Sequence, residues 1–244
     1  CDPTVDFFRN NVTLLLNGDG TNAAQNNTFI DSSTNNFTIT RNGNTTQGSF
    51  SPYGNLWSNY FDGSSYLNAG TNAAFSVGTG DFTIELWIFP TAYSGTYTGY
   101  FTTRTGGQGF DIQVLNSTTL MIGDPVGAII SANNVITLNT WQHVCAVRSG
   151  STISLYVNGT RVATGTNSSN FTDTGAKIGS SGPSGGNYAV GYISNVRLVK
   201  GTAVYNPSST TITVPTTPLT AITNTSLLTC QSNRFIDNSA NNFA

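Results

Sequence analysis

The chain has 244 residues, of which 37% are hydrophobic and 11% aromatic, which is enough to build a sizeable core. Charged residues make up only 8% and the formal net charge is -2, so the basic surface of a nucleic-acid-binding protein is excluded. No apolar run is long enough to insert into a bilayer. We therefore expect neither nucleic acid nor a membrane interior among the partners.

Strand patterns dominate the chain, and helical periodicity is almost absent. In the segment "DFTIELWIFP", Phe82, Ile84, Leu86 and Ile88 alternate on one face, and Pro90 is expected to end the strand. Further strands separated by glycine and asparagine turns follow at short intervals. This pattern predicts an all-β fold in which two antiparallel sheets form a sandwich or jelly roll.

Two later segments carry clear strand signals. "TISLYVNGTRVATG" predicts a hairpin in which Asn158 and Gly159 supply the positive φ angles of a type I′ turn. "GYISNVRLVKGTAVY" predicts another strand, with Ile193 and Arg197 on one face and Val196 on the other.

The order of the motifs carries a resemblance. The stretches "YFDGSSYLNAG", "FSVGTGDFTIELWIFP", "TWQHVCAVRSGSTISLYVNGTRVATG", "AKIGSS" and "GYISNVRLVKGTAVY" follow one another as in the laminin-G-like, concanavalin A-like lectin/glucanase superfamily. The resemblance covers residues 12–205 and implies a concanavalin A-like jelly roll. "VTLLLNGDGTNAAQNNTFIDSSTNNFTITRNG" and "SLLTCQSNRFIDNSANNF" further resemble repeated modules of marine phage structural proteins. That likeness implies a virion, extracellular or cell-surface location.

The chain divides into four parts. Residues 1–11 are expected to be a leader or linker, and residues 12–205 are expected to form the jelly-roll domain. Residues 206–224 are rich in Thr, Ser and Pro and are expected to leave the sandwich as an extended connector. Residues 225–244 repeat the pattern of residues 13–38, for example in "FID" and "NNF". This echo either begins a following repeat or completes a sheet edge, in this domain or in a neighbouring copy.

The sequence does not contain the residue pattern of an enzyme. Glycosidases of this fold need two nearby carboxylates, whereas Glu85 is the only glutamate and is expected at a surface or strand edge. His143 and Cys145 share a strand face about 6–7 Å apart, too far for direct activation of the thiol. The spacing of Cys1, Cys145 and Cys230 also predicts no structural disulfide.

Calcium is the candidate ion, because many domains of the resembling superfamily bind it through loop oxygens. The candidate ligands are Asp19 in "NGDGTN", Asp31 in "FIDSS" and Asp62 in "YFDGSS". Aspartates in such loops also cap turns by accepting hydrogen bonds from backbone N–H groups, and we favour that role here.

Aromatic residues in two loops are candidates for stacking on a sugar ring. Tyr93, Tyr97 and Tyr100 lie in "TAYSGTYTGYF", and Asn187 and Tyr188 lie in a glycine-rich stretch. The same tyrosines could instead pack their own loops on the sandwich.

Two functions follow from these observations. The first is a non-enzymatic structural module of a virion or extracellular appendage that associates with copies of itself or with other proteins of the particle. The alternative is a carbohydrate-binding adhesion module that recognises host surface glycan.

Overall fold

A computed structural model describes residues 16–17, 30–31, 38–43, 45–48, 50–54 and 56–231. Regular structure in these residues is almost entirely β-strand, and a 3₁₀ turn at Ala73–Phe75 is their only helical element. Within the same residues, no helix has the length and apolar character needed to cross a membrane.

The strands are numbered in chain order. The first nine are β1 (Leu16–Asn17), β2 (Ile30–Asp31), β3 (Thr40–Asn42), β4 (Thr46–Gly48), β5 (Ser58–Asp62), β6 (Tyr66–Thr71), β7 (Phe82–Ala92), β8 (Tyr97–Thr102) and β9 (Asp111–Leu115). The others are β10 (Thr119–Asp124), β11 (Gly127–Asn133), β12 (Gln142–Ser149), β13 (Thr152–Val157), β14 (Thr160–Thr166), β15 (Gly175–Ile178), β16 (Val190–Lys200) and β17 (Thr225–Thr229).

Two antiparallel sheets form a sandwich. The seven-stranded sheet has the order β11-β10-β9-β8-β15-β6-β3. The eight-stranded sheet has the order β14-β13-β12-β7-β16-β5-β4, and β17 is added beside β16. Among the described residues, strands β1 and β2 pair with each other and with no further strand. The predicted antiparallel β-sandwich is confirmed.

The core lies between the two sheets and follows the predicted alternation. Phe82, Ile84, Leu86 and Ile88 of β7 are all fully buried in it. The strand does not end at Pro90 as expected, but continues to Ala92. Pro90 lies opposite Gly191 at a register shift, where the ladder is already interrupted and a missing N–H is tolerated.

The predicted hairpin at residues 152–166 is confirmed. Strands β13 and β14 pair across Asn158 and Gly159, whose φ angles are 48° and 79°. Both residues therefore adopt the left-handed conformation that a type I′ turn requires.

The strict alternation predicted for β16 is wrong. The register against β7 shifts between Ser194 and Arg197, and Asn195 has a φ of 53°. This β-bulge puts Ile193 and Val196 on the same side, and both side chains lie in the core. Arg197 consequently points away from the core, toward the outer face of the eight-stranded sheet.

Residues 206–224 have no strand of their own but do not leave the sandwich. The hydroxyl of Tyr156 donates to the carbonyl of Ser209 at 2.8 Å, and the hydroxyl of Ser154 donates to that of Pro207 at 2.7 Å. The segment therefore runs back over the outer face of β13, because this face offers donors for its carbonyl groups.

Strand β17 closes the edge of this same domain. One side of β16 pairs with β5 through residues 190–193 and with β17 through residues 196–199. Leu227 and Leu228 point to opposite faces and are both fully buried. The remainder of the echo, residues 232–244, lies outside the described residues.

We predict that Leu227→Ala lowers the free energy of unfolding by about 2–5 kcal/mol, because it leaves a cavity in the core. Urea unfolding followed by tryptophan fluorescence measures this change. Val126→Ala is the control, since Val126 is 95% exposed and should change stability by less than about 0.5 kcal/mol. Equal stabilities of the two variants would show that β17 does not contribute to the core.

Candidate functional site

A cleft of about 270 Å³ opens on the outer face of the seven-stranded sheet. Its floor is formed by Gln113 of β9 and Met121 of β10. Ile112 and Val114, which flank Gln113, are buried in the core, so Gln113 points outward. Tyr97 of β8 forms one wall. The cleft thus combines an aromatic ring, an amide and a thioether.

A second wall comes from the loop that follows β15. The loop carries Ser181 and Asn187, whose side-chain amide donates to the Ser181 hydroxyl at 3.0 Å. It lies directly over Gly99 of β8, where an added Cβ would be 2.3 Å from the Ser181 nitrogen. Only glycine at position 99 permits this approach, which brings Asn187 next to Tyr97 at the cleft.

An ion pair fixes the base of the cleft. The guanidinium of Arg104 donates to Asp111 at 2.9 Å, and the other carboxylate oxygen of Asp111 accepts from the Gly182 N–H at 2.9 Å. Lys177 anchors the same region by donating to the carbonyls of Arg104 and Pro183. Burial lowers the pKa of Lys177, although Asp111 partly offsets that effect.

The hairpin between β10 and β11 completes the cleft. Asp124 caps the turn by accepting from the Val126 N–H at 2.9 Å, and Val126 is almost fully exposed at the tip. Sequence reasoning missed this hairpin. The stretch "DPVG" between two apolar runs is a turn signal that would have found it.

The structure brings together two of the five residues predicted to bind a sugar. Tyr97 and Asn187 both line the cleft. Tyr188 stacks on Tyr66 outside it, with ring centroids 6.0 Å apart. Tyr93 packs against the core. Tyr100 is only 1% exposed, so its proposed contact with a ligand is wrong: the ring lies in the core, where burial raises its pKa.

Of the aspartates proposed as calcium ligands, Asp62 has contacts that the structure describes. One carboxylate oxygen of Asp62 accepts from the Ser64 N–H and from the hydroxyls of Ser64 and Ser65. Asp62 therefore caps its own turn, which is the role that we favour from the sequence. Asp31 lies in β2, and Asp19 lies outside the described residues. No group of three potential ligands occurs among the residues described.

Glu85 is not at a surface or edge, as the sequence suggested, but fully buried in the central strand β7. Its carboxylate accepts from the Arg197 Nε at 3.0 Å and from the Tyr205 hydroxyl at 2.9 Å. The Nε2 of His143 is 3.1 Å from the same carboxylate. Burial alone would raise the pKa of Glu85, but the bond to His143 and the charge of Arg197 together hold it below its ordinary value.

Cys145 is not activated as a nucleophile. Cys145 is fully buried, and burial raises its pKa well above the ordinary value, which opposes formation of the nucleophilic thiolate. Cys145 and Cys230 are both free thiols, and Cys1 lies outside the described residues. Glu85 and its partners therefore hold the sheet and the chain segment above it together.

Comparison with known families gives a match over most of the sandwich. A family model described as the concanavalin A-like lectin/glucanases superfamily matches residues 61–203, which is more than half of the chain. No characterised protein sequence matches the chain significantly.

Several solved structures share the fold. Domain 4 of AbnA, an extracellular GH43 arabinanase of Geobacillus stearothermophilus in complex with arabinotriose, has a TM-score of 0.55 and 18% identity, covering 80% of this chain and 95% of that one. The ligand-binding domain of botulinum neurotoxin serotype D in complex with N-acetylneuraminic acid has a TM-score of 0.53 and 12% identity. The match covers 78% of this chain and 48% of that one. The binding domain of botulinum neurotoxin serotype G has a TM-score of 0.54 and 13% identity, and the match covers 80% of this chain and 48% of that one. The chain thus spans about half the length of these neurotoxin domains.

The lowered pKa of Glu85 makes stability depend on pH in a definite direction. Its contribution is complete above the pKa of an unfolded glutamate and is lost as the pH falls through the lower, folded-state pKa. We predict that the urea midpoint falls between about pH 6 and about pH 3. Glu85→Gln should cost about 3–5 kcal/mol at neutral pH and should show a weaker pH dependence than the original protein.

Asp62→Asn is the control for this experiment. The pKa of Asp62 is also lowered, because the hydrogen bonds from Ser65 and Ser64 outweigh its desolvation, but its environment is far more exposed. Its removal should therefore cost less stability than that of Glu85. The interpretation is wrong if Glu85→Gln matches the original protein in stability at every pH.

Proposed function

Because the chain belongs to the concanavalin A-like lectin/glucanases superfamily, we propose that it is a non-enzymatic carbohydrate-binding module that acts outside the cell or on the surface of a particle. The observation that supports this proposal best is the cleft on the seven-stranded sheet, where Tyr97 faces the amides of Gln113 and Asn187.

The side chains of the cleft suit the chemistry of a sugar. A pyranose or furanose ring has an apolar face that can stack on an aromatic ring such as that of Tyr97. Its hydroxyl groups both donate and accept hydrogen bonds, as do the amides of Gln113 and Asn187. The volume of about 270 Å³ suits one or two sugar units with the rest of the chain in solvent.

The relatives point to the same class of ligand. The arabinanase domain was solved with arabinotriose, and the serotype D neurotoxin domain with N-acetylneuraminic acid. These ligands belong to those proteins, and the low identities transfer only the fold. They support the proposal because the sandwich that this chain shares is used by sugar-binding domains.

The carboxylates of the cleft support binding rather than hydrolysis. Both oxygens of Asp111 are engaged, one by Arg104 and the other by the Gly182 N–H. Asp124 is then the one carboxylate among the described lining residues that keeps an unengaged oxygen. Cleavage of a glycosidic bond generally requires two carboxyl groups on opposite sides of that bond.

A structural role in a virion or extracellular appendage is the second candidate. The echo of residues 28–38 in residues 234–244 favours a chain built from repeated modules. Such a chain would associate with copies of itself or with other proteins of the particle, and binding of host glycan would be compatible with that role. The complete reading frame tests this candidate: further copies of the module support it, and a solitary module contradicts it.

We predict that a glycan array identifies at least one ligand and that Tyr97→Ala weakens its binding about ten-fold or more, because the stacking surface is lost. Isothermal titration measures the affinity. Tyr60→Ala is the matched control: Tyr60 packs on Tyr192, at 5.1 Å between ring centroids, on the opposite face of the sandwich. Silence across the whole array, or equal losses in both variants, would refute the proposed site.

A further inference from the structure

We infer that the cleft binds an uncharged oligosaccharide and discriminates against one that carries a carboxylate, such as a sialylated glycan. This inference rests on the proposed function. The two ligands seen in structural relatives differ in this respect, since arabinotriose is neutral and N-acetylneuraminic acid is an anion. The distribution of charge around the cleft of this chain decides between the two classes.

Arg104 is the only cationic side chain among the described residues that line the cleft, and it is already engaged. Recognition of a carboxylate by arginine depends on two parallel N–H donors. The Nη1 of Arg104 donates to Asp111 at 2.9 Å, and its Nε, although it has no hydrogen-bond partner, is buried where a ligand in the cleft does not reach it. A carboxylate can bind a guanidinium through Nη1 and Nη2 or through Nε and Nη2. In Arg104 the first pair shares Nη1 with Asp111 and the second pair contains the buried Nε, so neither pair is fully available to an anion.

The charge of Arg104 is also balanced. Asp111 is only 1% exposed and lies in direct contact with the guanidinium, so the pair presents no net charge to the cleft. Lys177 is nearby but does not line the cleft. It is 7% exposed, and its ammonium group donates to two backbone carbonyls, at 2.9 Å to Arg104 and 3.0 Å to Pro183.

Asp124 leaves the cleft with a net negative charge. One oxygen of its carboxylate accepts from the Val126 N–H at 2.9 Å, and the other remains available at the rim. A carboxylate oxygen accepts hydrogen bonds from sugar hydroxyls, and these charge-assisted bonds are stronger than neutral ones. The same carboxylate repels a negatively charged sugar, so it favours the neutral ligand through both effects.

The remaining polar groups fit a neutral ligand as well. Asn187 donates to Ser181 through its amide nitrogen, which leaves its carbonyl oxygen to accept from a hydroxyl. The amide nitrogen of Gln113 has only the weak acceptor sulfur of Met121, at 3.9 Å, so it can be redirected to a ligand oxygen. None of these groups provides the positive charge that a carboxylate requires.

The test is a glycan array that contains matched pairs of neutral and sialylated oligosaccharides together with arabinotriose. We expect binding to be confined to uncharged members, with a neutral glycan bound at least about ten-fold more tightly than its sialylated partner. Isothermal titration of the best neutral ligand should give an affinity that hardly changes between low and high salt, because no ion pair forms with the ligand.

Two variants sharpen the test. Asp124→Lys should weaken the neutral ligand and reduce the discrimination against its sialylated partner about ten-fold, since it replaces a repelling charge by an attracting one. Asp62→Lys makes the same charge change in the other sheet and should leave the discrimination unaltered. Preferred binding of sialylated members, or an Asp124→Lys variant with unchanged preference, overturns this inference alone. Absence of binding to every glycan overturns the proposed function and the inference with it.

Discussion

The buried carboxylate of Glu85 is the constraint on which the rest of the structure depends. It lies fully buried in the middle of β7, where an uncompensated charge would cost several kcal/mol. Its compensation comes from far along the chain, from Arg197 in β16 and Tyr205 beyond it. Arg197 also donates to the carbonyl of Thr220 at 2.8 Å. The carboxylate, the bulge in β16 and the returning chain segment therefore form one unit.

This arrangement determines which surface of the sandwich can bind a ligand. The outer face of the eight-stranded sheet is covered by the chain's own segments, through contacts such as Tyr156 to Ser209 and Phe50 to Phe89. On the seven-stranded sheet, the described loops frame a cleft whose floor contains Gln113. The buried charges around Glu85 thus stabilise the eight-stranded sheet, whereas the cleft proposed to bind a ligand lies on the seven-stranded sheet.

Local patterns predicted much of the fold and only part of the site. The Asn158-Gly159 turn could be predicted because both φ angles depend on neighbouring residues alone. The burial of Glu85 could not, because a single acidic residue within a strand does not show which distant residue will pair with it. The bulge before Arg197 could not be predicted either, because a strand with strict alternation fits the same sequence equally well. Tyr97 could be predicted because it is an aromatic residue in a stretch rich in turn residues. Arg104 could not, because its place in the cleft depends on its contact with Asp111, which only the folded structure shows.

The central claim is that segments of the chain pack over the outer face of the eight-stranded sheet, whereas the cleft on the seven-stranded sheet binds the ligand. Hydrogen exchange of the whole chain, with and without the strongest neutral ligand of the glycan array, tests it most directly. The account predicts that the ligand slows exchange in residues 97–104, 111–127 and 181–188, and leaves residues 142–149 and 190–200 unchanged. Protection confined to the latter two ranges, with none around the cleft, would contradict it.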